Sequence, residues 1–213
     1  MDLSARVAPI RHLLEKPAVE TIPTGITEVD AALGGLPRGA LTEICGPVSS
    51  GRTSLLLAVL AQATGRLEAC ALVDTTDAFD PAAAAAAGVD LERLLWVRCG
   101  GNVVHALTAA DWLANGGGFG VVVLDLGDLA SEQVRRIPLA SWYRLRRAIE
   151  HTPTALVALE PQPWARTCSS LILELRRERV SWRGPLLGGV VVRVERRKPE
   201  RAAAAVFEAR LGA

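Results

Sequence analysis

The sequence predicts an α/β fold: a mostly parallel sheet flanked by helices, with antiparallel strands added by the C-terminal part of the chain. Apolar, strand-like runs alternate with helical segments between residues 40 and 160, a pattern typical of parallel sheets with helical crossovers. One of these runs, 121–124, is continuously apolar, as expected for a strand buried on both faces. From Ser169 onward, apolar and polar residues alternate with period two, which predicts the antiparallel strands.

The spacing of apolar residues and chain breakers gives the order of the elements. A short helix is expected through Leu33, capped by the side chain of Thr27. Core strands are predicted at 41–45, 69–74, 94–97, 120–125 and 154–159, and C-terminal strands at 171–175, 189–194 and 205–210. Helices are predicted directly after a loop at 46–54, and at 80–87, 103–114 and 141–151.

A separate amphipathic helix is predicted at residues 1–18, ahead of a single core domain at 19–213. It carries an apolar stripe at helical spacing, which Pro17 ends. The stripe either packs on the core of the same chain or docks on a neighbouring molecule. Its members are therefore candidate partner-binding residues: Leu3, Val7, Ile10 and Leu14.

Composition narrows the classes of function. The 213-residue chain has a net charge of +1, so it has no overall attraction to nucleic acid or to membranes. No uninterrupted apolar run reaches membrane-spanning length, and the N-terminus lacks the apolar core of a signal peptide, so we expect a cytoplasmic protein. The four cysteines and three histidines lack partners at metal-ligand spacing. We expect buried free thiols and no metal site.

A candidate phosphate-binding loop follows the first core strand and opens an apolar helix, the context that such a loop requires. Its sequence is Gly46-Pro47-Val48-Ser49-Ser50-Gly51-Arg52-Thr53-Ser54. The two glycines allow the backbone to wrap around an anion, with amides and the helix N-terminus directed at a phosphate. The pattern requires lysine before Thr53, whereas Arg52 has a wider, forked guanidinium. The loop is either a nucleotide site with an altered residue or a phosphate loop kept as architecture, and we favour the second interpretation.

Several segments resemble the bacterial RecA recombinases in order and spacing. They are 19–25 (VETIPTG), 31–39 (AALGGLPRG), 43–51 (EICGPVSSG), 73–74, 78–81 and 87–90, and residues 190–212 resemble the end of the RecA core. The resemblance spans nearly the whole chain and implies a RecA-like core built around the phosphate loop. It includes no counterpart of the separate C-terminal domain of RecA, which we expect to be absent.

The resemblance also implies that catalytic groups have been lost. The glutamate that activates water in RecA corresponds to Thr76, which cannot act as a carboxylate base. The adenine-stacking tyrosine corresponds to Ala83, and the phosphate-loop lysine to Arg52. The aspartate of the magnesium site is kept as Asp125, and Thr53 could still meet magnesium. We therefore expect no catalytic residues, no ATP hydrolysis and no required cofactor, although the retained loop leaves binding of ATP with magnesium open.

The two segments that RecA uses to bind DNA are short in this chain. The first is reduced to 129–141 and the second to 160–170, which contains Pro161 and Pro163. Arginines near these segments are candidates for contacts with the DNA backbone: Arg135, Arg136, Arg144, Arg146 and Arg147. Nearby aromatic residues could stack on bases: Trp142, Tyr143 and Trp164. The alternative is a solvated arginine face with the aromatic side chains in the core.

This combination resembles the ImuA-type relatives of RecA, shortened homologues that accompany an inactive polymerase homologue, ImuB, in damage-induced mutagenesis. It implies a catalytically degenerate accessory protein that binds an ImuB-like polymerase homologue, RecA or a second copy of itself, with weak DNA binding and no membrane binding. Three alternatives stay open. They are a slow ATPase with Glu43, Asp77 or Glu160 as the base, a DNA-binding module without hydrolysis, and a cell-division inhibitor of the SulA type.

Overall fold

An eight-stranded sheet forms the centre of the protein. The computed structural model describes residues 20–199 and 203–210. Two short strands, β1 (Thr21–Ile22) and β2 (Leu36–Pro37), pair with each other outside this sheet. The strands of the sheet are β3 (Ala40–Cys45), β4 (Cys70–Asp74), β5 (Leu94–Arg98), β6 (Val121–Asp125), β7 (Ala155–Glu160), β8 (Leu171–Arg183), β9 (Leu186–Lys198) and β10 (Ala204–Arg210). Their order across the sheet is β10-β9-β8-β3-β7-β6-β4-β5.

The strands from β3 to β7 run parallel to their neighbours. β8 is parallel to β3 and antiparallel to β9, and β10 is antiparallel to β9. The predicted fold class is therefore confirmed. The antiparallel C-terminal strands are confirmed in the pairs β8–β9 and β9–β10, whereas the pairing of β8 with β3 is parallel. Residues 161–170 carry the chain back along the sheet, so that β8 starts beside Thr42 and runs in the same direction as β3.

Helices cover both faces of the sheet. Within the described residues they are α1 (Thr27–Leu33), α2 (Arg52–Gly65), α3 (Pro81–Ala86), α4 (Val103–Gly116), α5 (Ser131–Arg135) and α6 (Leu139–Ile149). The buried side chains form two clusters, one beneath α1, α2 and α3 and the other beneath α4, α5 and α6. Val121 and Val123 belong to the first cluster, whereas Val122 and Leu124 belong to the second. The continuous apolar run therefore indicated burial on both faces correctly.

The predicted core helices and strands are present, with ends that differ by a few residues. Thr27 does not cap α1, so that prediction is wrong: it is the first residue of the helix, and no side chain accepts at the N-cap, Ile26. Instead, the carboxylate of Asp30 reaches back and accepts the backbone N–H groups of Thr24 and Gly25, at 2.7 and 3.0 Å. Asp30, a residue of α1, therefore stabilises the turn that precedes the helix.

The hairpin of β8 and β9 is longer than the alternation predicted, since each strand has 13 residues. Charged residues on β8 obscure the period-two pattern beyond Leu175. Apolar side chains near the turn are exposed, among them Trp182 and Leu186.

Two expectations stay outside what this structure tests. The predicted helix at 1–18 lies outside the described residues, so Leu3, Val7, Ile10 and Leu14 remain predicted partner-binding residues. The boundary of the core domain at residue 19 is likewise still a prediction. Among the helices of the described ranges, none combines the length and the apolar character needed to cross a membrane.

Candidate functional site

The phosphate loop connects the end of β3 with the start of α2, as predicted. Gly46 has a φ of 155°, and a Cβ there would lie 2.3 Å from the carbonyl oxygen of Leu175. Gly51 has a φ of 92°, and a Cβ there would lie 2.5 Å from Cγ2 of Val192. Because β8 and β9 approach the loop this closely, both positions require glycine.

The other loop residues differ in exposure. Pro47, Val48, Ser49 and Thr53 are exposed, and Ser54 is half-buried. Ser50 is buried, and its hydroxyl has no hydrogen-bond partner among the described residues. The loop therefore faces solvent, while one hydroxyl inside it has no partner among the described residues.

Arg52 is folded into the protein rather than extended over the loop. The residue is only 7% exposed, and its Nη2 donates to the carbonyl oxygen of Gly127 at 3.1 Å. Its Nη1 is buried and has no hydrogen-bond partner in the described part of the chain. Burial lowers the pKa of the guanidinium, and the negative charges of Asp125 and Asp128 act against this shift. The group stays protonated, because arginine titrates far above neutral pH.

Asp125, at the end of β6, lies close to Arg52. Its Oδ1 accepts the N–H of Gly127 at 2.8 Å. A Cβ built on Gly127 would lie 3.0 Å from Asp125 Oδ1 and 3.2 Å from Arg52 Nη1, so both side chains pack over this glycine. Burial raises the pKa of Asp125 to about 6, whereas the Gly127 N–H and the charge of Arg52 act in the opposite direction.

A cleft of about 1130 Å³ opens at the carboxyl ends of β3 and β7, beside the phosphate loop. Such a position is where parallel sheets bind ligands. Arg52 and Gly127 line it, and Asp125 does not. The remaining lining residues come from the phosphate loop, the segments after β6 and β7, and β8: Cys45, Gly46, Pro47, Val48, Asp128, Leu129, Ala130, Ser131, Pro161, Gln162, Pro163, Glu174, Arg176 and Arg177.

The positive charge of Arg52 makes the surroundings of Asp125 electrostatically unfavourable for a magnesium ion. Mg²⁺ requires oxygen ligands in near-octahedral geometry and keeps several of its waters. Here a guanidinium packs over the same glycine as the Asp125 carboxylate, and this carboxylate already accepts a backbone N–H. The magnesium site suggested by Asp125 and Thr53 therefore stays a prediction.

A pair of buried glutamates lies behind the cleft. Glu43 accepts the backbone N–H of Ala165 at 3.0 Å and the hydroxyl of Ser169, so it holds the segment after β7 against the sheet. Glu160 is fully buried, and neither carboxyl oxygen has a well-formed hydrogen bond within the described residues. Burial, and next the negative charge of Glu43, raise the pKa of Glu160 well above its usual range.

The contacts of Glu43, Asp77 and Glu160 are relevant to the alternative in which one of them is the catalytic base of a slow ATPase. Glu43 is committed to the segment after β7, and Asp77 forms an ion pair with Arg98 at 3.1 Å. Glu160 does not line the cleft, and the polar groups that face it are the Glu43 carboxyl and the backbone N–H of Trp164. Thr76 is half-buried and Ala83 is exposed, with neither of them lining the cleft.

The segment after β4 is held by its own aspartates. The carboxylate of Asp74 accepts the N–H groups of Ala78 and Phe79, at 3.2 and 3.0 Å, and Nε1 of Trp96 at 3.1 Å. Asp80 caps α3 through the N–H groups at 82 and 83. Asp74 is the last residue of β4, at the edge where parallel sheets bind ligands, yet its side chain has a purely internal role.

The candidate DNA-binding arginines divide into paired and unpaired residues. Arg144 forms an ion pair with Asp111 at 2.9 Å, and Arg146 with Glu150 at 3.5 Å. Three are exposed and form no ion pair within the described residues: Arg135, Arg136 and Arg147. Arg144 and Arg147 line a second hollow, of about 530 Å³, together with Tyr143. The pairing reduces the positive charge that the helix can offer to a phosphate backbone.

The stacking hypothesis fails for one aromatic residue and is weakened for another. Trp142 is 1% exposed and belongs to the core beneath α6. Trp164 packs against the same core cluster and is partly buried. Tyr143 is exposed, with its hydroxyl 3.1 Å from Oγ1 of Thr167. The interpretation of these side chains as core residues is therefore correct for Trp142.

The cysteines are free and buried, as predicted. Cys45 lies at the base of the phosphate loop, where burial raises the pKa of its thiol to about 12. Within the described ranges, no group of three histidine, cysteine, aspartate or glutamate side chains has an arrangement that could hold a metal ion.

The sequence did not indicate which residues of the C-terminal strands lie beside the phosphate loop. Arg176 and Arg177 line the cleft from β8, and Val192 of β9 packs on the phosphate loop. These three residues are more than 120 positions from the loop in the chain, so no local pattern could have connected them. The pair Gly127 and Asp128, close behind Asp125, was the one available signal.

Comparison with known proteins agrees with this architecture. Residues 9–132, which are 124 of the 213, match the RecA N-terminal domain family. RecA of Aquifex aeolicus is 35% identical over 167 residues, covering 71% of this chain and 48% of that protein. RecA of Brucella anthropi is 44% identical over 109 residues, covering 50% of this chain and 30% of that protein. The chain thus spans about half or less of the length of these relatives.

A solved structure gives the same fold. The crystal structure of the RadB recombinase superimposes with a TM-score of 0.67 at 20% identity, covering 88% of this chain and 96% of that one. At this identity the similarity concerns the fold. The sequence matches extend over more than half of the chain, and on that evidence the protein belongs to the RecA family.

Proposed function

We propose that this protein is a catalytically degenerate, cytoplasmic RecA-like accessory protein of DNA damage tolerance, of the ImuA type. It acts by binding proteins: an ImuB-like polymerase homologue, RecA, or a second copy of itself. It does not hydrolyse ATP.

The observation that carries the proposal is the position of Arg52. Its guanidinium donates to the carbonyl oxygen of Gly127, next to Asp125, and does not extend along the loop as a phosphate clamp would. Phosphoryl transfer depends on positioned charge and an oriented nucleophile. The segment after β4 supplies no free carboxylate to the cleft, since Asp74 and Asp77 are engaged within it.

ATP turnover tests the loss of catalysis. The purified full-length protein should show no turnover above that of its Asp125→Ala variant, with or without DNA. The double variant Arg52→Lys/Thr76→Glu restores two of the missing side chains and tests whether they are sufficient. Turnover by the wild-type protein that disappears in Asp125→Ala would contradict the proposal.

Protein binding tests the accessory role. We expect the full-length protein to bind purified RecA or an ImuB-like polymerase homologue through the stripe of Leu3, Val7, Ile10 and Leu14. The double variant Val7→Asp/Ile10→Asp should weaken this binding, because it places charge on the apolar stripe. Ala5→Asp, on the opposite side of the predicted helix, is the matched control. Unchanged binding by the double variant would remove the stripe from the interface, and no binding to any of the three partners would contradict the role itself.

A further inference from the structure

Large apolar side chains are exposed on α4 and α6, two helices that pack against each other. Trp112 on α4 is 73% exposed, and Leu139 and Tyr143 on α6 are 40% and 42% exposed. Leu139 and Tyr143 are four residues apart, so they are neighbours on the surface of one helix. Tryptophan and tyrosine are enriched at the centres of protein interfaces. The two helices therefore carry the kind of side chains that a protein interface uses.

A hollow of about 530 Å³ lies between these helices. Ala140, Tyr143 and Ala148 of α6 form an apolar wall, and Asn115 of α4 lines the other side. Trp112 precedes Asn115 by three residues, so its side chain is a neighbour of that lining residue on the helix surface. Sites that enclose a ligand have volumes in this range. The hollow can therefore receive a large apolar side chain, with an aromatic ring beside it on each helix.

Contacts within the surface hold the hollow in shape. Arg144 Nε donates to Oδ1 of Asp111 at 2.9 Å and so joins α6 to α4. Asn115 Nδ2 donates to the carbonyl oxygen of Asp111 at 2.8 Å. The hydroxyl of Tyr143 lies 3.1 Å from Oγ1 of Thr167. A partner would meet a surface whose side chains are already ordered, which lowers the entropic cost of binding.

The charges around the hollow indicate the kind of partner. Asp111 neutralises Arg144, whereas Arg147 lines the hollow, is exposed and forms no ion pair within the described residues. Arg135 and Arg136, which precede α6 in the chain, are exposed and unpaired in the same sense. An apolar hollow with free positive charge at its edge is complementary to an apolar side chain flanked by carboxylates.

Two other occupants fit this surface less well. A nucleic acid has a phosphate at every nucleotide, so it would bring negative charge over the apolar wall and close to the Asp111 carboxylate. The predicted helix at residues 1–18, from the same chain or from a second copy, has an apolar stripe. That segment contains three arginine or lysine residues and two acidic ones. Its charge therefore does not complement a surface with unpaired arginines.

We propose that the hollow between α4 and α6 is a docking site for an acidic peptide segment of a partner protein. The segment inserts a large apolar side chain between Trp112 and Tyr143 and places a carboxylate beside Arg147. The proposal rests on the proposed function in that the partner is a protein. It adds a second binding surface, separate from the predicted stripe at residues 3–14.

Selection from a library of random peptides tests this chemistry without assuming a sequence. Peptides of about twelve residues, long enough for several helical turns, are displayed on phage and selected on the immobilised full-length protein. The variant Tyr143→Ala/Arg147→Glu then removes peptides that bind elsewhere. We expect the peptides kept only by the wild type to be enriched in Asp and Glu around a Phe, Trp or Leu. Retained peptides without acidic residues would overturn the proposal, and so would a selection that retains none.

Single variants measured with one selected, synthesised peptide sharpen the test. Fluorescence anisotropy should show affinity about tenfold or more lower for Arg147→Glu, because repulsion replaces attraction. Trp112→Ala should lower it about fivefold or more, as expected for an interfacial tryptophan. Arg66→Glu and Trp182→Ala change exposed residues of the same two types outside this surface, and both should bind like the wild type. Circular dichroism of each variant verifies that it is folded.

The same assay distinguishes the possible occupants. Loss of affinity in Arg147→Glu and Trp112→Ala, with both controls unchanged, supports the proposal. A synthetic peptide of residues 1–18 that binds with this pattern would assign the hollow to the chain's own N-terminal segment and overturn it. Single-stranded oligothymidine that displaces the selected peptide at physiological salt would assign the hollow to nucleic acid, with the same consequence. Failure to bind RecA, an ImuB-like homologue or a second copy would contradict the proposed function, whereas the variants at the hollow would still report on acidic peptides.

Discussion

Two loops at the same edge of the sheet differ in how their polar groups are paired. The phosphate loop, after β3, retains glycines at strained positions, an unsatisfied hydroxyl on Ser50 and an unsatisfied guanidinium nitrogen on Arg52. The segment at 74–80, after β4, has donors for each of its three aspartates. One loop therefore keeps buried donors without partners among the described residues, whereas the other uses its polar groups to hold itself together.

The difference shows how a RecA-like core can lose hydrolysis without losing its architecture. Once Thr76 stands in place of the carboxylate base, nothing in the segment after β4 has to face the cleft. Its remaining carboxylates then stabilise the turn and the edge strand, where Asp74 meets Trp96. The phosphate loop cannot change its backbone conformation in the same way, because β8 and β9 pack directly on its glycines.

The largest expected effect concerns Asp74. Asp74→Ala should destabilise the protein by about 3 kcal/mol, because it leaves two backbone N–H groups and the Trp96 indole without their buried charged acceptor. Asp80→Ala is the matched control in the same segment; it removes an exposed helix cap and should cost about 1 kcal/mol. Urea denaturation measures both values. Equal costs for the two variants would contradict the internal role assigned to Asp74.

The second prediction concerns the pH dependence of stability at Glu160, behind the cleft. The folded-state pKa of Glu160 is raised above its unfolded value of about 4.3. The stability that protonated Glu160 contributes to the folded state is therefore fully present below about pH 4.3, its unfolded pKa, and is lost as the pH rises toward the folded pKa. Between the unfolded and folded pKa values, the free energy of unfolding of Glu160→Gln should rise relative to that of the wild type by about 1.4 kcal/mol for each pH unit. Above the folded pKa this difference stays constant.

Denaturation series between about pH 5 and 8 measure this gain. Glu132→Gln changes an exposed carboxylate on α5 and should show no comparable trend. A difference between Glu160→Gln and the wild type that does not vary with pH would show that Glu160 is ionised throughout, and would remove it from the unsatisfied groups around the cleft.

The third prediction separates the two constraints on Gly51. Gly51→Ala should destabilise the protein by about 2 kcal/mol, because φ is positive there and the new Cβ would meet Val192. Adding Val192→Ala should recover the steric part, so the two changes should couple in a double-mutant cycle. Gly100→Ala, at a positive φ with open space around it, isolates the backbone cost alone. Additive effects of Gly51→Ala and Val192→Ala would mean that β9 does not constrain the loop.

The smallest expected effect is on DNA binding. Here too, arginines that are engaged in ion pairs can be compared with arginines that have none among the described residues. We expect weak binding of single strands, roughly micromolar or weaker at physiological salt. Removing Arg135, Arg136 and Arg147 should lower the slope of log K against log salt by about 2, because each phosphate contact contributes about 0.7. Removing Arg144 and Arg146, which are engaged in ion pairs, should change the slope less. Tight binding that persists at physiological salt would instead indicate base stacking, with Tyr143 as the exposed aromatic residue.

The sequence by itself determined the parallel core and the position of the phosphate loop. Apolar runs of strand length report burial on both faces, and a glycine-bounded loop between a strand and a helix is a local pattern that needs no tertiary contact. The replacements at Arg52, Thr76 and Ala83 could also be read directly, since each changes the chemistry of a side chain at a matched position.

Only the tertiary structure decided where those side chains point. The contact of Arg52 with Gly127 joins residues 75 positions apart, and the packing of Val192 on Gly51 joins residues still farther apart. The same holds for Glu43 on β3, which meets Ser169 just before the neighbouring strand β8, and for Trp142, whose burial depends on the sheet beneath α6. Local propensity says nothing about such contacts, because they form only when the crossovers bring distant strands to one edge of the sheet.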